Sequence, residues 1–189
     1  IAMKQAKEIV MEYYGLENTD MAMQEILNGN TKIYTNLDLA LQQKSYEALK
    51  NTYPNDSIEM GYVLTTKDGK VLVAISSKND SNIDHVYSMT RQTGSSIKPL
   101  SVYGPAFDME ICTPDSIEID EPVTIDNWSV SNASRNYRGA VTIQDALAYS
   151  INTIAVKTSQ KVGISTSISY LEKLGVTSLC DDDYYYPAV

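Results

Sequence analysis

Length, composition and charge restrict the classes of protein that this sequence can encode. The chain has 189 residues, of which 43% are hydrophobic and 21% are charged, and this balance excludes both a disordered and a membrane-buried chain. Its net charge of −9 argues against nucleic acid as a partner, because binding to phosphates requires clustered lysine and arginine. No apolar run approaches the roughly 20 residues that a transmembrane helix needs.

The first part of the chain predicts two helices separated by an extended segment. Apolar residues recur at helical spacing over residues 1–16, whereas residues 31–35 are rich in β-forming types. Asn36 or Asp38 then predicts the start of a helix over residues 39–51, because both residue types favour the N-cap position.

The clearest local pattern in the sequence is a β-hairpin. Residues 58–66 are rich in β-forming types, residues 67–70 supply an Asp-Gly turn, and Val71–Ile75 is an uninterrupted apolar run. A strand this apolar is typical of a sheet that is covered on both faces. We therefore expect helices packed on an antiparallel sheet, which is an α/β (α+β) fold in one domain.

The second half of the chain predicts three helical segments around a long loop. The first covers residues 95–107, with Pro99 in its first turn, where the missing N–H removes no hydrogen bond. Residues 108–140 are acidic, polar and interrupted by prolines, which predicts a loop with short strands. Further helices are predicted from Thr142 onward and over residues 167–174.

Residues that commonly bind metals or act as bases are scarce. Cys112 and Cys180 form no metal-binding pattern and are predicted to be free thiols, with a disulfide as the alternative. His85 is the single histidine and is predicted to lie at the surface or in a loop, so any serine chemistry needs another base. Trp128 is predicted to be a packing anchor, and Asp181–Asp183 a solvated loop rather than a site for a hard cation. No metal and no organic cofactor is predicted.

Ser95 and Lys98 are the first candidate catalytic pair. Three positions apart on a helix, their side chains lie on the same face and can meet. A serine hydroxyl becomes a good nucleophile when a neighbour takes its proton, and a lysine can do this once burial lowers its pKa. The free N–H groups at the start of the helix can stabilise negative charge on an attacked carbonyl. Ser96 has Pro99 three positions later and lacks this geometry.

The flanking residues extend this pair to a family motif. Residues 91–100 read Arg-Gln-Thr-Gly-Ser-Ser-Ile-Lys-Pro-Leu, which closely resembles the active-site segment of class A penicillin-binding proteins, the bifunctional peptidoglycan synthases. A second motif of that family, Ser-x-Asn, is matched by Ser150-Ile151-Asn152 within a similar context that begins at Tyr137. Residues 32–38 and 181–187 also resemble segments of the family's transpeptidase region, in the family's order.

Ser150 and Asn152 place a condition on the fold. Two residues apart on an unbroken helix, their side chains would point in different directions. The chain must therefore break near Ser150 if both side chains are to face Ser95. The resemblance implies such a break, with Ser150 relaying protons to and from the pair Ser95 and Lys98, and with Asn152 binding the amide of the substrate. The alternative is a plain amphipathic helix with both residues on its wet face.

The resemblance also implies a fold and an activity. The fold would be that of the penicillin-binding protein and β-lactamase-like transpeptidases, and the activity that of a serine D-Ala-D-Ala transpeptidase or carboxypeptidase. Ser95 would form an acyl-enzyme with peptidoglycan stem peptides, Lys98 would be the general base, and β-lactam antibiotics would acylate the same serine. The parent protein is expected at the extracytoplasmic face of a bacterial cell membrane, with a membrane anchor and a glycosyltransferase domain.

The third motif of the family, Lys-Thr-Gly, does not occur after Asn152. Lys157-Thr158-Ser159 has a different third residue and is predicted to lie on a helix. We therefore expect residues 31–189 to be the N-terminal portion of a transpeptidase domain, incomplete at its C-terminus and inactive alone, and residues 1–30 to be a helical linker. Two alternatives remain open: a β-lactamase or β-lactam-sensor domain of the same superfamily, and a non-catalytic scaffold fragment.

Overall fold

Helices and short antiparallel strands make up the structure of the chain. A computed structural model describes residues 2–29, 31–54, 58–76, 84–125 and 127–185. The chain divides into two compact units, residues 1–89 and residues 90–189, and both contain helices and strands. The α/β class predicted from the sequence is thus confirmed. None of the described helices is long and apolar enough to cross a membrane.

The first unit consists of a helical pair and a hairpin with a helix packed on it. Its elements are α1 (Ala2–Tyr14), α2 (Thr19–Asn28), α3 (Leu39–Thr52), β1 (Gly61–Thr65) and β2 (Val71–Ser76). Helices α1 and α2 pack together, and α2 contributes the buried residues Ala22 and Ile26. Asp38 caps the N-terminus of helix α3, because its carboxylate accepts a hydrogen bond from the backbone N–H of Leu41 at 2.9 Å. This N-cap is one of the two that the sequence predicted.

The β-prone run Thr31–Thr35 forms no strand with any described part of the chain. Among the described residues, β2 pairs only with β1, and residues 31–35 pair with neither strand. β-Propensity reflects how a side chain fits on a pleated, half-buried surface. Without a neighbouring strand, residue types that favour a sheet do not produce one.

The predicted hairpin is confirmed. β1 and β2 are antiparallel, with Tyr62 opposite Ile75, and the turn passes through Gly69, whose φ of +84° suits a residue without Cβ. Val73 and Ile75 are buried, whereas Leu72 and Ala74, on the other face of the strand, are half-buried. The two faces of β2 are therefore covered to different extents, although the sequence of the strand is apolar throughout.

The second unit contains the predicted helical segments and short strands. Its elements are α4 (Gly104–Asp108), β3 (Ile117–Asp120), β4 (Val123–Ile125), β5 (Trp128–Val130), β6 (Gly139–Thr142), α5 (Ile143–Ala148), α6 (Asn152–Val162) and α7 (Ile164–Lys173). β3 pairs with β6 and β4 pairs with β5, both antiparallel. The prediction of a loop with short strands over residues 108–140 is confirmed, and the last predicted helix begins three residues earlier than expected.

The helix predicted over residues 95–107 changes type along its length. A 3₁₀ turn covers Gly94–Ile97, a π-helical turn covers Pro99–Tyr103, and α4 follows. The π-helical turn is closed by a hydrogen bond from the N–H of Gly104 to the carbonyl of Pro99. A Cβ on residue 104 would lie 2.8 Å from that carbonyl oxygen, so glycine permits this close approach.

One hydrophobic cluster joins this helical segment to α5 and α6. Its buried members are Val102, Tyr103, Ile143, Ala146, Ile151, Ile154 and Ala155. Val102 and Tyr103 follow Lys98 closely in the sequence, and Ala146 and Ile151 lie before and after Ser150. Packing of the core therefore brings the two sequence motifs of the second unit together.

His85 lies in a turn, one of its two predicted placements, but not at the surface, and the predicted packing role of Trp128 is wrong. His85 is buried, with 8% of its surface exposed, and its Nε2 lies 3.3 Å from a carboxylate oxygen of Glu59. Its backbone carbonyl lies so close to Gly61 that a Cβ there would be 2.4 Å from it, so the turn packs tightly on β1. Trp128 is 36% exposed and does not anchor a core. Cys112 and Cys180 are free thiols.

Candidate active site

A 3₁₀ turn presents Ser95 and Lys98 together. The turn begins at Gly94, whose φ is +57°, and the N–H of Lys98 donates to the carbonyl of Ser95. With three residues per turn, positions i and i+3 of a 3₁₀ helix lie above one another. Ser95 is exposed, whereas Lys98 is 2% exposed, so the pair joins the surface to the interior.

The two adjacent serines of the motif differ in what their hydroxyls do. The hydroxyl of Ser96 donates to the backbone carbonyl of Thr93 at 2.6 Å and is held within its own turn. The hydroxyl of Ser95 forms no hydrogen bond with any residue of the described ranges. Ser95 is therefore the serine whose oxygen is exposed and unengaged.

The helical path of the chain is interrupted at Ser150. The sequence predicted this interruption, because Ser150 and Asn152 can both face Ser95 only if they do not lie on one unbroken helix. Helix α5 ends at Ala148 and α6 begins at Asn152. Ser150 lies between them with φ of +53°, in the left-handed region that non-glycine residues seldom occupy. The N–H of Ile151 donates to the carbonyl of Ala146 at 2.8 Å, and its side chain is buried in the core.

Lys98 connects the two motifs through its ammonium group. Its Nζ donates to the hydroxyl of Ser150 at 3.1 Å, to the carbonyl of Ser150 at 3.2 Å and to Oδ1 of Asn152 at 2.6 Å. Three of the four predicted site residues are thus in direct contact. The fourth, Ser95, lies one 3₁₀ turn before Lys98 on the same face.

Burial governs the electrostatics of Lys98. Desolvation lowers the pKa of its ammonium group, because the charged form loses contact with water. Lys98 forms no ion pair with the described residues that would offset this effect. Its hydrogen-bond partners are neutral oxygens, so a larger fraction of Lys98 is deprotonated near neutral pH than for an exposed lysine.

Asn152 has a fixed orientation. Its Nδ2 donates to the backbone carbonyl of Ser131 at 2.8 Å, which leaves Oδ1 directed at Lys98. Its backbone N–H donates to Oδ1 of Asn132 at 2.9 Å. Asn132 in turn donates to the buried carboxylate of Asp120. The sequence prediction did not include Asn132 or Asp120, and no local motif marks them; only their position between the two motifs could have suggested a role.

Lys157-Thr158-Ser159 is not a replacement for the missing third motif. These residues lie within α6, and Thr158 and Ser159 are buried. The ammonium group of Lys157 donates to the carbonyl of Ile119 at 2.9 Å and pairs with Glu121. Lys157 therefore ties α6 to the end of β3, as its predicted helical position suggested. No group of three or more potential metal ligands occurs among the described residues.

Proteins of similar sequence are penicillin-binding proteins. The profile of the family described as penicillin binding protein transpeptidase domain matches residues 60–184. Penicillin-binding protein 1A of Clostridium perfringens is 30% identical over 202 residues, which cover 93% of this chain and 30% of that protein. Penicillin-binding protein 1F of Bacillus subtilis is 33% identical over 159 residues, with 81% of this chain and 22% of that protein covered.

Solved structures show a similar fold. The PonA1 protein from Mycobacterium tuberculosis in complex with penicillin V has a TM-score of 0.73 at 19% identity, covering 96% of this chain and 47% of that chain. The transpeptidase domain of a peptidoglycan glycosyltransferase from Eggerthella lenta has a TM-score of 0.63. The chain spans less than a third of the length of its curated relatives and about half of these structures. It belongs to the penicillin-binding protein transpeptidase family, as its resemblance to class A penicillin-binding proteins predicted.

Proposed function

We propose that this chain is the part of a serine D,D-transpeptidase that carries the nucleophile and its base. The observation that carries the proposal is the buried ammonium group of Lys98, which bonds to Ser150 and Asn152 while lying one turn from the exposed, unengaged hydroxyl of Ser95. The substrate would be a peptidoglycan stem peptide that ends in D-Ala-D-Ala. The product would be a crosslink between two stem peptides.

The proposed reaction has two acyl-transfer steps. In the first, the oxygen of Ser95 forms a bond to the carbonyl carbon of the penultimate D-alanine, and the C–N bond to the terminal D-alanine breaks. The proton of Ser95 passes to neutral Lys98 and then to the leaving amine. In the second step, the nitrogen of an amine of a neighbouring stem forms a bond to the ester carbonyl carbon, and the C–O bond to Ser95 breaks. The amine gives up one proton, which passes through Lys98 to the oxygen of Ser95. Free N–H groups at the start of the 3₁₀ turn would stabilise the negative charge on the attacked oxygen.

Ser150 and Asn152 have distinct parts in this scheme. The hydroxyl of Ser150 lies 3.1 Å from Lys98 and can both accept and donate a proton, which suits a relay between Lys98 and the leaving amine. Asn152 accepts from Lys98 through Oδ1 and would bind the backbone amide of the substrate. When Lys98 is neutral it needs fewer acceptors, and the oxygen of Asn152 becomes available to that amide.

We further propose that the chain acts as part of a longer protein. Its curated relatives are about three to five times as long as the segment they share with it, since 22–30% of their length is matched. By analogy with class A penicillin-binding proteins, that protein would carry a membrane anchor, a glycosyltransferase domain and a Lys-Thr-Gly strand. It would act outside the cytoplasmic membrane of a bacterium and bind β-lactam antibiotics.

Covalent labelling with a fluorescent penicillin tests the proposal. The longer protein that contains this chain is incubated with the reagent, and the adduct is located by mass spectrometry of the digested protein. We expect one adduct on Ser95, complete loss of label in Ser95→Ala, and retained label in Ser96→Ala. Ser96 is a matched control because it is the neighbouring serine, yet its hydroxyl is held by Thr93.

The same experiment separates a β-lactamase and a non-catalytic scaffold from the transpeptidase. A β-lactamase would form the adduct on Ser95 but hydrolyse it within the time of a single measurement, whereas a transpeptidase retains it for much longer. A non-catalytic scaffold would show no adduct that depends on Ser95, and that result would refute the proposal. The 189-residue chain alone is expected to label weakly, because the third motif is not part of it.

A further inference from the structure

Asp120 is a buried carboxylate at the centre of a hydrogen-bond network. Asp120 is only 2% exposed. One oxygen of its carboxylate accepts hydrogen bonds from Nδ2 of Asn132 at 2.8 Å and from the hydroxyl of Thr153 at 2.6 Å. Its second oxygen accepts from the N–H of Arg138 at 2.9 Å. Burial raises the pKa of this carboxyl, but the hydrogen bonds from Thr153, Asn132 and Arg138 outweigh it and lower the pKa overall. Asp120 is therefore ionised and fully engaged at neutral pH.

Asn132 connects Asp120 to the start of α6 by hydrogen bonds. Its Oδ1 accepts from the N–H of Asn152 at 2.9 Å and from the N–H of Thr153 at 3.3 Å. These are N–H groups of the first turn of a helix, which have no partner within the helix. Because Asp120 holds Nδ2 of Asn132, the amide of Asn132 cannot turn over without losing both sets of bonds. The first turn of α6 is thus tied to β3.

The same network reaches the other side of the break between α5 and α6. Arg138, whose N–H is held by Asp120, places its guanidinium group 4.1 Å from the centre of the Tyr149 ring. Tyr149 directly precedes Ser150, which has the strained φ of +53°. A non-glycine residue keeps such a conformation only where its surroundings hold it in place. The network thus contacts Tyr149, immediately before the strained residue, and Asn152, two positions after it.

We propose that Asp120 and Asn132 are positioning residues for acylation of Ser95, because together they hold Ser150 and Asn152 against the ammonium group of Lys98. Neither residue touches Lys98 itself, so both act through Asn152 and the turn that precedes it. The inference rests on the proposed function, since it names what orders the base of that reaction. A role in stability alone is the competing explanation.

Two variants break the network in different ways. In Asp120→Asn, the new amide NH₂ must face either Asn132 and Thr153 or the N–H of Arg138, and all three are donors, so one donor pair always clashes. Asn132→Ala removes the bridge to α6 without changing any charge. Glu121→Gln is the control: it removes a charge next to Asp120 in sequence, from a side chain that is 55% exposed and bonds to Lys157.

The readout is the pH profile of penicillin acylation in the longer protein, measured per folded molecule. Displacement of Asn152 removes an acceptor from the ammonium group, which lowers the pKa of Lys98 further. We expect a fall in the maximal acylation rate of about 10-fold to 100-fold, because small misplacements of catalytic groups have effects of this size. The acidic limb should move to lower pH by up to about one unit, the equivalent of one hydrogen bond to a charged group. Glu121→Gln should change neither quantity.

The outcomes separate the competing explanations. Wild-type protein that forms no adduct on Ser95 refutes the proposed function, whatever the variants do. If the wild type reacts but both variants keep its rate and its acidic limb, the positioning role is wrong. A lower rate per folded molecule with an unmoved limb means that the two residues do not act through the contact between Asn152 and Lys98. A moved limb in Asp120→Asn but not in Asn132→Ala indicates an effect of charge; both outcomes overturn the inference. If neither variant folds, Thr153→Ala removes a single bond to Asp120 and must shift the limb in the same direction.

Discussion

The backbone of Ser150 is held in a conformation that L-amino acids seldom adopt, with φ of +53°. The left-handed region brings Cβ close to the backbone and costs roughly 1–2 kcal/mol for a residue other than glycine. The conformation also has a use, since it ends α5 and turns the hydroxyl and carbonyl of Ser150 towards Lys98. Strain and site geometry thus have the same origin at this residue.

Two substitutions at Ser150 separate the backbone from the hydroxyl. Ser150→Ala and Ser150→Gly both remove the oxygen that accepts from Lys98, but only the glycine relieves the left-handed strain. We expect Ser150→Gly to be more stable than Ser150→Ala by about 1 kcal/mol, although glycine lowers stability at most other positions. Urea denaturation of both variants measures the difference in the free energy of unfolding. A glycine variant that is the less stable of the two would show that Ser150 is not strained.

The break at Ser150 could be predicted from the sequence, whereas Asp120 could not. Ser150 and Asn152 belong to a motif whose chemistry requires both to face one point, and a single helix cannot satisfy that requirement. Asp120 lies in the alternating run Ile117-Glu118-Ile119-Asp120, which predicts that the isoleucines face inward. The structure shows the reverse, with Ile117 68% exposed and Asp120 2% exposed. Bonds from residues distant in sequence decide which face is buried, and a local pattern does not contain them.

At the scale of whole elements, one side chain of α3, that of Gln42, forms a pair of hydrogen bonds with the backbone of β2. The amide of Gln42 donates to the carbonyl of Ala74 at 2.8 Å and accepts from the N–H of the same residue at 3.0 Å. An adjacent strand would form the same pair of bonds. Among the described residues β2 has β1 as its one partner strand, so Gln42 satisfies backbone groups that a second strand would otherwise bond.

Loss of this side chain should destabilise the first unit. In Gln42→Leu, the part-buried N–H and carbonyl of Ala74 lose their partners, and an unsatisfied group of this kind costs about 1–3 kcal/mol. Gln43→Leu is the matched control, because Gln43 is exposed and its side chain donates to Glu47, one turn away. We expect a loss of about 1–2 kcal/mol for Gln42→Leu and less than about 0.5 kcal/mol for Gln43→Leu. Amide hydrogen exchange at Ala74, faster in the first variant alone, checks the cause; equal effects of both substitutions would contradict it.

The elements of the chain were predictable where local chemistry determines them. Asp38 caps α3, and the Asp-Gly turn sets the hairpin, because both signals act within a few residues. The segment after Ser95 was predicted as one helix, but its π-helical turn depends on Pro99 and Gly104 meeting across five residues. The run Thr31–Thr35 has strand-forming residues and no strand beside it. The local composition therefore does not determine whether a segment forms a helix or a strand when this depends on a residue distant in sequence, or on the lack of such a partner among the described residues.

Two contributions to the stability of the whole molecule respond to acid in opposite directions. The net charge is −9 at pH 7, so protonation of carboxylates at lower pH relieves repulsion across the molecule. Asp120 responds in the opposite way, because hydrogen bonds lower the pKa of its carboxyl in the folded state below the ordinary value for aspartate. A carboxyl with a lowered folded pKa binds fewer protons when folded than when unfolded. Its contribution to stability is therefore present above the unfolded value and is lost as pH falls through the folded one.

Comparison of two charge-removing variants isolates the contribution of Asp120. Asp115→Asn removes one negative charge from an exposed position, and Asp120→Asn removes one from the buried network. Relative to Asp115→Asn, the Asp120 variant should be less stable by a constant amount above about pH 5, and this deficit should shrink below about pH 4, where the wild-type carboxyl also begins to carry a proton. Urea denaturation from pH 3 to pH 7 measures both curves. A deficit that is the same at every pH would mean that Asp120 contributes shape rather than charge, and a deficit that grows in acid would mean that its pKa is raised by burial instead of lowered by its donors.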